Sequence, residues 1–155
     1  DGRSFAIMGR LDRIDKNGDK VFVTDYKLST TPAGSDLPAG IDLQLPVYLL
    51  AASKLYGKEV AGGGYLSLKN TERKSTVKLD DIELPFNKRS TDYFADAEDK
   101  WQAFSQFSQQ LLQNYVQGIY QGNFDVLPKK KCSSYCPLKD ICRVNLLEQG
   151  GEADE

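Results

Sequence analysis

Apolar residues are concentrated in two short runs near the start of the chain, at positions 4–12 and 20–28, and polar residues separate the runs. The Asn17-Gly18 pair between them is the strongest short-range signal for a β-hairpin. We therefore predict two antiparallel strands joined by a loop centred on this pair, with arms of equal length. That pairing sets residue 12 opposite residue 23 and residue 10 opposite residue 25.

The rest of the pattern predicts a helix, two further strands and a long second helix. Residues 41–56 carry an apolar stripe at helical spacing, and Gly57 is a candidate for the helix end. Residues 60–68 are predicted to form a buried strand that runs parallel to the second one through a crossover. The charged segment 72–84 fits an edge strand or hairpin, and residues 91–121 fit a long helix whose aromatic residues face the core. The pattern indicates an α/β fold with a mixed central sheet flanked by helices.

Composition narrows the class of protein. The chain has 155 residues, 40% hydrophobic and 27% charged, which is typical of one soluble globular domain with a real core. No apolar run approaches the length of a membrane span, and there is no signal peptide. The chain starts within a pattern and without Met, so we expect a piece of a larger, cytoplasmic protein. The net charge of −2 argues against non-specific coating of DNA.

Two absences in the sequence exclude further classes. The chain has no histidine, which removes the commonest general base and the commonest zinc ligand. Histidine-based phosphatases and triad hydrolases are excluded on that ground. No GxxxxGK[ST] run is present, so this segment does not hydrolyse ATP.

Candidate chemistry lies on one face of the predicted hairpin. Side chains alternate along strands, so Asp12, Asp25 and Lys27 point the same way. The predicted register makes Asp12 and Asp25 diagonal neighbours, about 7–8 Å apart at the backbone. Two carboxylates at this spacing suit Mg²⁺ or Mn²⁺, which polarises a phosphoryl oxygen and activates water, while an ammonium stabilises the developing charge. The alternative is a solvated hairpin face, but the strand is apolar on both sides apart from these groups, and buried charges are costly without a role.

Three short motifs occur in a fixed order along the chain. Gly9 to Asp12 form G-x-x-D, Asp25 to Lys27 form D-Y-K, and Gln44 with Tyr48 form Q-x-x-x-Y. In this order and spacing they resemble the PD-(D/E)xK nuclease superfamily, and most closely its RecB/AddB-type nuclease domain. The resemblance covers most of residues 3–145 and implies a restriction-endonuclease-like core.

The resemblance also implies roles for individual residues. Asp12, Asp25 and the backbone carbonyl of Tyr26 would be metal ligands, and Lys27 would be the catalytic lysine. Gln44 and Tyr48 would contact the substrate or brace the site. Arg10 flanks Asp12, and the predicted register puts it on the active face opposite Asp25, where it would balance the carboxylates or touch a DNA phosphate.

The implied function is a Mg²⁺-dependent DNA exonuclease domain. It would be the C-terminal part of an AddB-like subunit in a helicase–nuclease that resects double-strand breaks, with DNA and a helicase subunit as partners. Two alternatives stay open: a non-catalytic DNA-binding or scaffold domain that kept the fold, and a stand-alone Cas4-like exonuclease. The chain keeps both aspartates and the lysine, which argues against a non-catalytic domain. A stand-alone exonuclease would need its own N-terminal start and a further cysteine, and this sequence has neither.

The chain closes on three cysteines, Cys132, Cys136 and Cys142, spaced C-x3-C-x5-C. Buried free thiols are one reading. Zinc is another, although three cysteines without histidine leave the site one ligand short. The run resembles the last three ligands of the AddB-type [4Fe-4S] site, whose first cysteine lies far upstream. Residues 129–131, all lysine, are either a phosphate-contacting patch or a solvated charge run.

The resemblance divides the chain into three parts. Residues 1–128 would be the nuclease core without its N-terminal helix, residues 129–146 the iron–sulfur segment, and residues 147–155 an acidic, disordered tail. The missing upstream part would carry the fourth cysteine and an extra acidic residue. The resemblance therefore does not imply activity for the isolated chain.

Overall fold

The computed structural model describes residues 5–57, 59–80 and 94–124, together with Leu138 and Ile141. The chain forms two compact units, Asp1–Asn114 and Tyr115–Glu155. The three cysteines and the predicted boundaries at 128/129 and 146/147 lie outside the described residues.

The described part of the first unit contains a four-stranded mixed sheet. Its strands are β1 (Arg13–Asn17), β2 (Lys20–Lys27), β3 (Glu59–Ser67) and β4 (Arg73–Lys78), and they lie side by side in this order. The β1–β2 and β3–β4 pairs are antiparallel and the β2–β3 pair is parallel. The predicted mixed sheet and the parallel crossover are confirmed.

The hairpin differs from its prediction in register and in extent. Arg13 pairs with Thr24 and Asn17 pairs with Lys20, so the two turn residues are Gly18 and Asp19. Gly18 has a φ of 56°, the left-handed conformation that tight hairpin turns need and that glycine adopts without strain. Asn17 therefore belongs to the ladder and not to the turn. Residues 5–11 form no regular element, so the strand predicted at positions 4–12 is wrong over these residues.

Helix α1 (Gln44–Tyr56) lies in the crossover between β2 and β3. It begins later than predicted because the N–H groups of Ile41 and Asp42 both donate to the Asp36 carbonyl, at 2.8 and 3.0 Å, which reverses the chain before the helix. It ends at Gly57, whose φ of 56° and N–H bond to the Ser53 carbonyl confirm the predicted C-cap.

The core lies where α1 packs against β2 and β3. Leu45 and Leu49 of α1 are fully buried. They come so close to Gly63 of β3 that a Cβ there would lie 2.8 Å from Leu45 Cδ1 and 3.0 Å from Leu49 Cδ2. Glycine at this position lets α1 approach the sheet closely. Because Gly63 pairs with Val23, the face under α1 is the face that carries Val23, Asp25 and Lys27.

Helix α2 (Lys100–Tyr120) also begins later than predicted. Asp99 caps it, since its Oδ1 accepts the Gln102 N–H at 2.8 Å. Phe104 is fully buried and Trp101 packs against the core, so these two aromatics are core residues as predicted. Tyr115 is exposed, so the prediction that the aromatic residues of this helix face the core is wrong for Tyr115.

The described residues of the second unit are the last turns of α2, the turn that ends it, and Leu138 and Ile141. Gly122 has a φ of 71°. The Gly122 N–H donates to the Ile119 carbonyl and the Asn123 N–H to the Gly118 carbonyl, at 3.1 and 2.9 Å. This pair of bonds is a Schellman motif, which satisfies carbonyls at the helix end. In the described part of the chain, no helix combines the length and the apolar character that crossing a bilayer requires.

Candidate active site

Asp25 and Lys27 form the centre of the candidate site at the carboxyl end of β2. They are two residues apart on one strand, so their side chains share the face covered by α1. Asp25 is only 2% exposed, and Lys27 Nζ lies 2.8 Å from its Oδ2. The ammonium balances the charge of this oxygen. The oxygen is therefore buried, ion-paired and still able to accept a further ligand.

Gln44, in the first turn of α1, connects these two charged groups. Its Oε1 accepts a hydrogen bond from Lys27 Nζ at 2.6 Å, and its Nε2 donates to Asp25 Oδ1 at 2.9 Å. Nε2 also donates to the Tyr48 hydroxyl at 3.0 Å, because residues four apart on a helix are neighbours. The amide orientation is unambiguous, since only its oxygen can face an ammonium and only its nitrogen a carboxylate. Gln44 and Tyr48 thus brace the charged pair.

Asp12 lies beside this pair, in the bend just before β1. Its Oδ2 accepts the Tyr26 backbone N–H at 3.0 Å. Continuing the observed register places Asp12, and not Arg10, opposite Asp25. The shift from the predicted register is two residues, and a shift of two keeps every side chain on its face. The two aspartates are therefore direct neighbours and not the diagonal ones predicted.

Burial raises the pKa of the Asp25 carboxyl above its usual range. The Lys27 ammonium opposes this shift and the Asp12 carboxylate adds to it. Asp12 is exposed, so the site combines one buried and one solvated carboxylate. Two acids close enough to influence each other repel when both are charged, and a cation between them relieves that repulsion.

The donor set fits a hard divalent ion. Asp12 and Asp25 supply carboxylate oxygens. Strand residues direct their N–H and C=O toward the same neighbour, so the Tyr26 carbonyl faces the side of the strand on which Asp12 lies. Mg²⁺ commonly uses one or two carboxylates and completes its shell with water and substrate phosphate. No group of three or more acidic, histidine or cysteine side chains that could hold a metal is found in the described part of the chain.

An apolar cleft borders the site on the side of Gln44 and Tyr48. It has a volume of about 650 Å³ and lies between the segment before β1 and α1. Apart from Gln44 and Tyr48, its lining is mostly aliphatic: Ile7, Met8, Gly9, Leu11, Leu43, Val47, Ala51, Leu55 and Leu112. An apolar cleft that ends on a few polar groups is the usual form of a ligand site.

Two arginines near Asp12 behave differently. Arg10 is exposed, and among the described residues no hydrogen bond or ion pair joins it to the carboxylates. Its predicted position opposite Asp25 is wrong because of the register shift, while its proposed contact with DNA stays a prediction. Arg13 pairs with Asp15 at 2.8 Å and approaches the Tyr26 hydroxyl at 3.4 Å, on the opposite face of β2.

The sequence patterns did not identify Tyr65 of β3. Its ring centroid lies 5.3 Å from Lys27 Nζ, and its hydroxyl reaches both carboxylate oxygens of Asp42. The only hint in the sequence is a lone aromatic residue after three glycines in a buried strand. Both residues are buried.

Comparison with known proteins gives one finding. The family model of the PD-(D/E)XK nuclease superfamily matches residues 1–143 of the chain. No curated protein sequence and no solved structure matches it. The mixed sheet with flanking helices is consistent with the restriction-endonuclease-like α/β fold of that superfamily.

Proposed function

Because the chain belongs to the PD-(D/E)XK nuclease superfamily, we propose that it hydrolyses phosphodiester bonds of DNA with the help of Mg²⁺ or Mn²⁺. The observation that carries this proposal is the contact network of Asp25, Lys27 and Gln44 with Asp12 beside it. A purely structural ion pair would need neither the second carboxylate nor a buried oxygen with capacity for a further ligand.

Asp12, Asp25 and the Tyr26 carbonyl would hold the ion. Bound there, it would polarise a phosphoryl oxygen and lower the pKa of a water molecule. The chain's own contribution is to keep two carboxylates close at one end of β2, where their repulsion favours a cation. Asp25 is held in place by Gln44, so its oxygens are oriented before the ion arrives.

Lys27 would act on the phosphate that is attacked. Its ammonium lies beside Asp25 and is held by Gln44 Oε1. From that position it can orient the attacking water and stabilise the negative charge that develops in the transition state. Gln44 fixes both partners through one amide, and Tyr48 holds that amide in turn. The braced geometry limits reorganisation when the charge develops.

The cleft beside Gln44 and Tyr48 is the proposed path for the DNA strand. It borders the carboxylates and is lined mainly by aliphatic side chains, which suits the faces of bases better than a row of phosphates. The negative net charge of the chain agrees with a substrate that is held locally and not by a broad basic surface. Arg10 at the exposed segment before Asp12 is the proposed phosphate contact.

We propose an exonuclease, acting as a subunit of a cytoplasmic helicase–nuclease that processes double-strand breaks, with a helicase subunit as partner. The support is the resemblance of the three ordered motifs to the RecB/AddB-type domain. The same resemblance supports a [4Fe-4S] site that uses Cys132, Cys136 and Cys142.

The test measures Mn²⁺ binding by calorimetry, DNA binding by gel shift, and cleavage of linear and circular, single- and double-stranded DNA by the same protein. The chain is expected to bind Mn²⁺ and to cleave DNA only with a divalent ion, and Asp25→Ala is expected to lose both properties. Asp15→Ala is the matched control, because Asp15 lies on the neighbouring strand but pairs with Arg13 on the other face.

The outcomes separate the alternatives. Unchanged titration heats in Asp25→Ala would remove this residue from the metal site. DNA binding without cleavage, together with no Mn²⁺ binding, would favour the non-catalytic DNA-binding domain. Preferential degradation from ends of linear DNA, with circular DNA left intact, would support the exonuclease assignment.

A further inference from the structure

A buried tyrosine–aspartate pair lies under the first turn of α1. The Tyr65 hydroxyl is 2.7 Å from Asp42 Oδ1 and 2.8 Å from Oδ2. Tyr65 is fully buried and Asp42 is 5% exposed. The Leu45 N–H adds only a long contact of 3.4 Å to Oδ1. The hydroxyl is therefore the principal donor to this carboxylate among the described residues, and a buried carboxylate without its donor is strongly unfavourable.

Tyr65 reaches the active face only because of an irregularity in the β2–β3 pairing. Val21 pairs with Val60, but Phe22 pairs with Gly62, so Ala61 is an extra residue in β3. Beyond it, Tyr65 pairs with Asp25 and shares the face of that residue. Without the extra residue Tyr65 would point to the opposite face of the sheet.

The two ends of the Tyr65 side chain touch two different parts of the site. The ring lies next to the Lys27 ammonium, 5.3 Å from centroid to Nζ, a distance at which a cation is attracted to the ring face. The hydroxyl holds Asp42, which is two residues before Gln44. One side chain thus connects the lysine to the start of the helix that carries its hydrogen-bond partner.

The hydroxyl keeps its proton under all ordinary conditions. Burial raises the pKa of Tyr65, and the Asp42 carboxylate raises it further. The hydroxyl therefore stays a hydrogen-bond donor throughout the pH range in which a nuclease works.

We propose that Tyr65 and Asp42 are positioning residues for the nuclease reaction. The hydroxyl–carboxylate bond fixes the first turn of α1 over β3, at the place where Gln44 spans Asp25 and Lys27, and the ring limits the positions of the Lys27 ammonium. This inference rests on the proposed function for its catalytic consequence, while the geometric consequence can be measured without activity.

The test compares Tyr65→Phe with Val77→Ala. Tyr65→Phe keeps the ring and removes only the hydroxyl. Val77 is a buried core residue of β4, and β4 does not pair with β2, which carries Lys27, in the described sheet, so Val77→Ala reports general loss of stability. At a temperature where both variants are folded, Tyr65→Phe is expected to lower kcat by about tenfold or more with KM nearly unchanged, since small displacements of catalytic groups reduce rates strongly. Val77→Ala is expected to keep the parental kcat.

A second readout is the side-chain amide signal of Gln44 in a ¹H–¹⁵N NMR spectrum, assigned by its loss in Gln44→Ala. It should move toward the position of a free amide in Tyr65→Phe and stay in place in Val77→Ala. An unmoved signal together with a parental kcat in Tyr65→Phe would overturn the inference. An equal loss of kcat in both variants would show that Tyr65 acts only as a general core residue, and this result also overturns the inference. If the parent protein neither binds Mn²⁺ nor cleaves DNA, the proposed function fails, and the NMR comparison still decides whether Tyr65 positions Gln44.

Discussion

At the scale of single residues, the buried carboxylate of Asp25 is the proposed metal ligand, and its charge lowers the stability of the fold. Burial raises its pKa although Lys27 and Gln44 both stabilise the charged form. The folded protein therefore holds this proton more tightly than the unfolded chain does. At pH values above the folded pKa the buried carboxylate is charged, and by linkage this lowers the free energy of unfolding. The loss of stability shrinks as the pH falls, and it vanishes below the unfolded pKa of about 3.9.

We accordingly expect Asp25→Asn to stabilise the metal-free protein at neutral pH. The gain should be that of a typical single favourable substitution, about 1 kcal/mol or about 2–4 °C in Tm for a chain of this length. Thermal unfolding followed by circular dichroism in the presence of EDTA measures it, and the gain should shrink toward acid pH. Asp15→Asn, in an exposed ion pair, should change Tm little. A lower Tm for Asp25→Asn would show that the contacts with Lys27 and Gln44 outweigh burial.

Lys27 is expected to matter for rate far more than for binding. In Lys27→Ala, kcat should fall by about 10²–10³, because the ammonium acts on charge that develops mainly in the transition state. Steady-state kinetics on DNA with Mn²⁺ separates kcat from KM. Lys16→Ala is a suitable control, since Lys16 is exposed on β1 and lies over the Tyr56 ring, 4.1 Å from its centroid. Cleavage by Lys27→Ala within a factor of two of the parent would remove this residue from the mechanism.

At the scale of elements, the closeness of α1 to the sheet depends on Gly63. A Cβ at this position meets Leu45 and Leu49 at 2.8 and 3.0 Å, and the Val23 carbonyl at 3.2 Å. These distances are too short, so the two leucine side chains must shift, and α1 with them where they cannot repack. We expect Gly63→Ala to reduce the free energy of unfolding by about 1–3 kcal/mol, and to lower nuclease activity to the extent that α1, which carries Gln44, is displaced.

Urea unfolding and the cleavage assay together check this expectation. The matched control is Gly118→Ala in α2, where an added Cβ meets nothing within 4 Å. That substitution should raise stability by about 0.5–1 kcal/mol, since alanine favours helix. If both substitutions changed stability in the same direction, close helix–sheet contact at Gly63 would not be the controlling factor.

The elements also show what the sequence could predict. The shared face of Asp12, Asp25 and Lys27 was predictable because it depends only on parity, and an error of two residues in register left parity intact. The residue at which β1 starts was not predictable. The Asn17-Gly18 pair predicts a turn but does not determine which two residues occupy its central positions. The place of Tyr65 was not predictable either. It depends on the extra residue Ala61 in β3, and the glycines that follow it leave no side-chain pattern to indicate the register.

At the scale of the whole molecule, the net charge argues for local and not global recognition of DNA. The net charge is −2, whereas proteins that bind DNA through many phosphates carry a basic surface. The cation at the candidate site and Lys27 would then supply much of the attraction where cleavage occurs. A motor subunit that delivers the strand would make a broad basic surface unnecessary, which is the role we propose for a helicase partner.

The whole chain contains three cysteines, Cys132, Cys136 and Cys142, all outside the described residues. The proposed [4Fe-4S] cluster takes four protein thiolates. The 155-residue chain purified in air should therefore hold no stable cluster, with iron far below about four per chain and no cluster absorbance in the visible spectrum. Anaerobic reconstitution followed by air exposure gives the strictest form of the measurement.

Cys142→Ala is the control, because iron that is unaffected by loss of a thiol is bound elsewhere. A brown protein with about four irons, lost in Cys142→Ala, would mean that a ligand other than cysteine completes the site, and the chain would then contain the whole cluster site on its own.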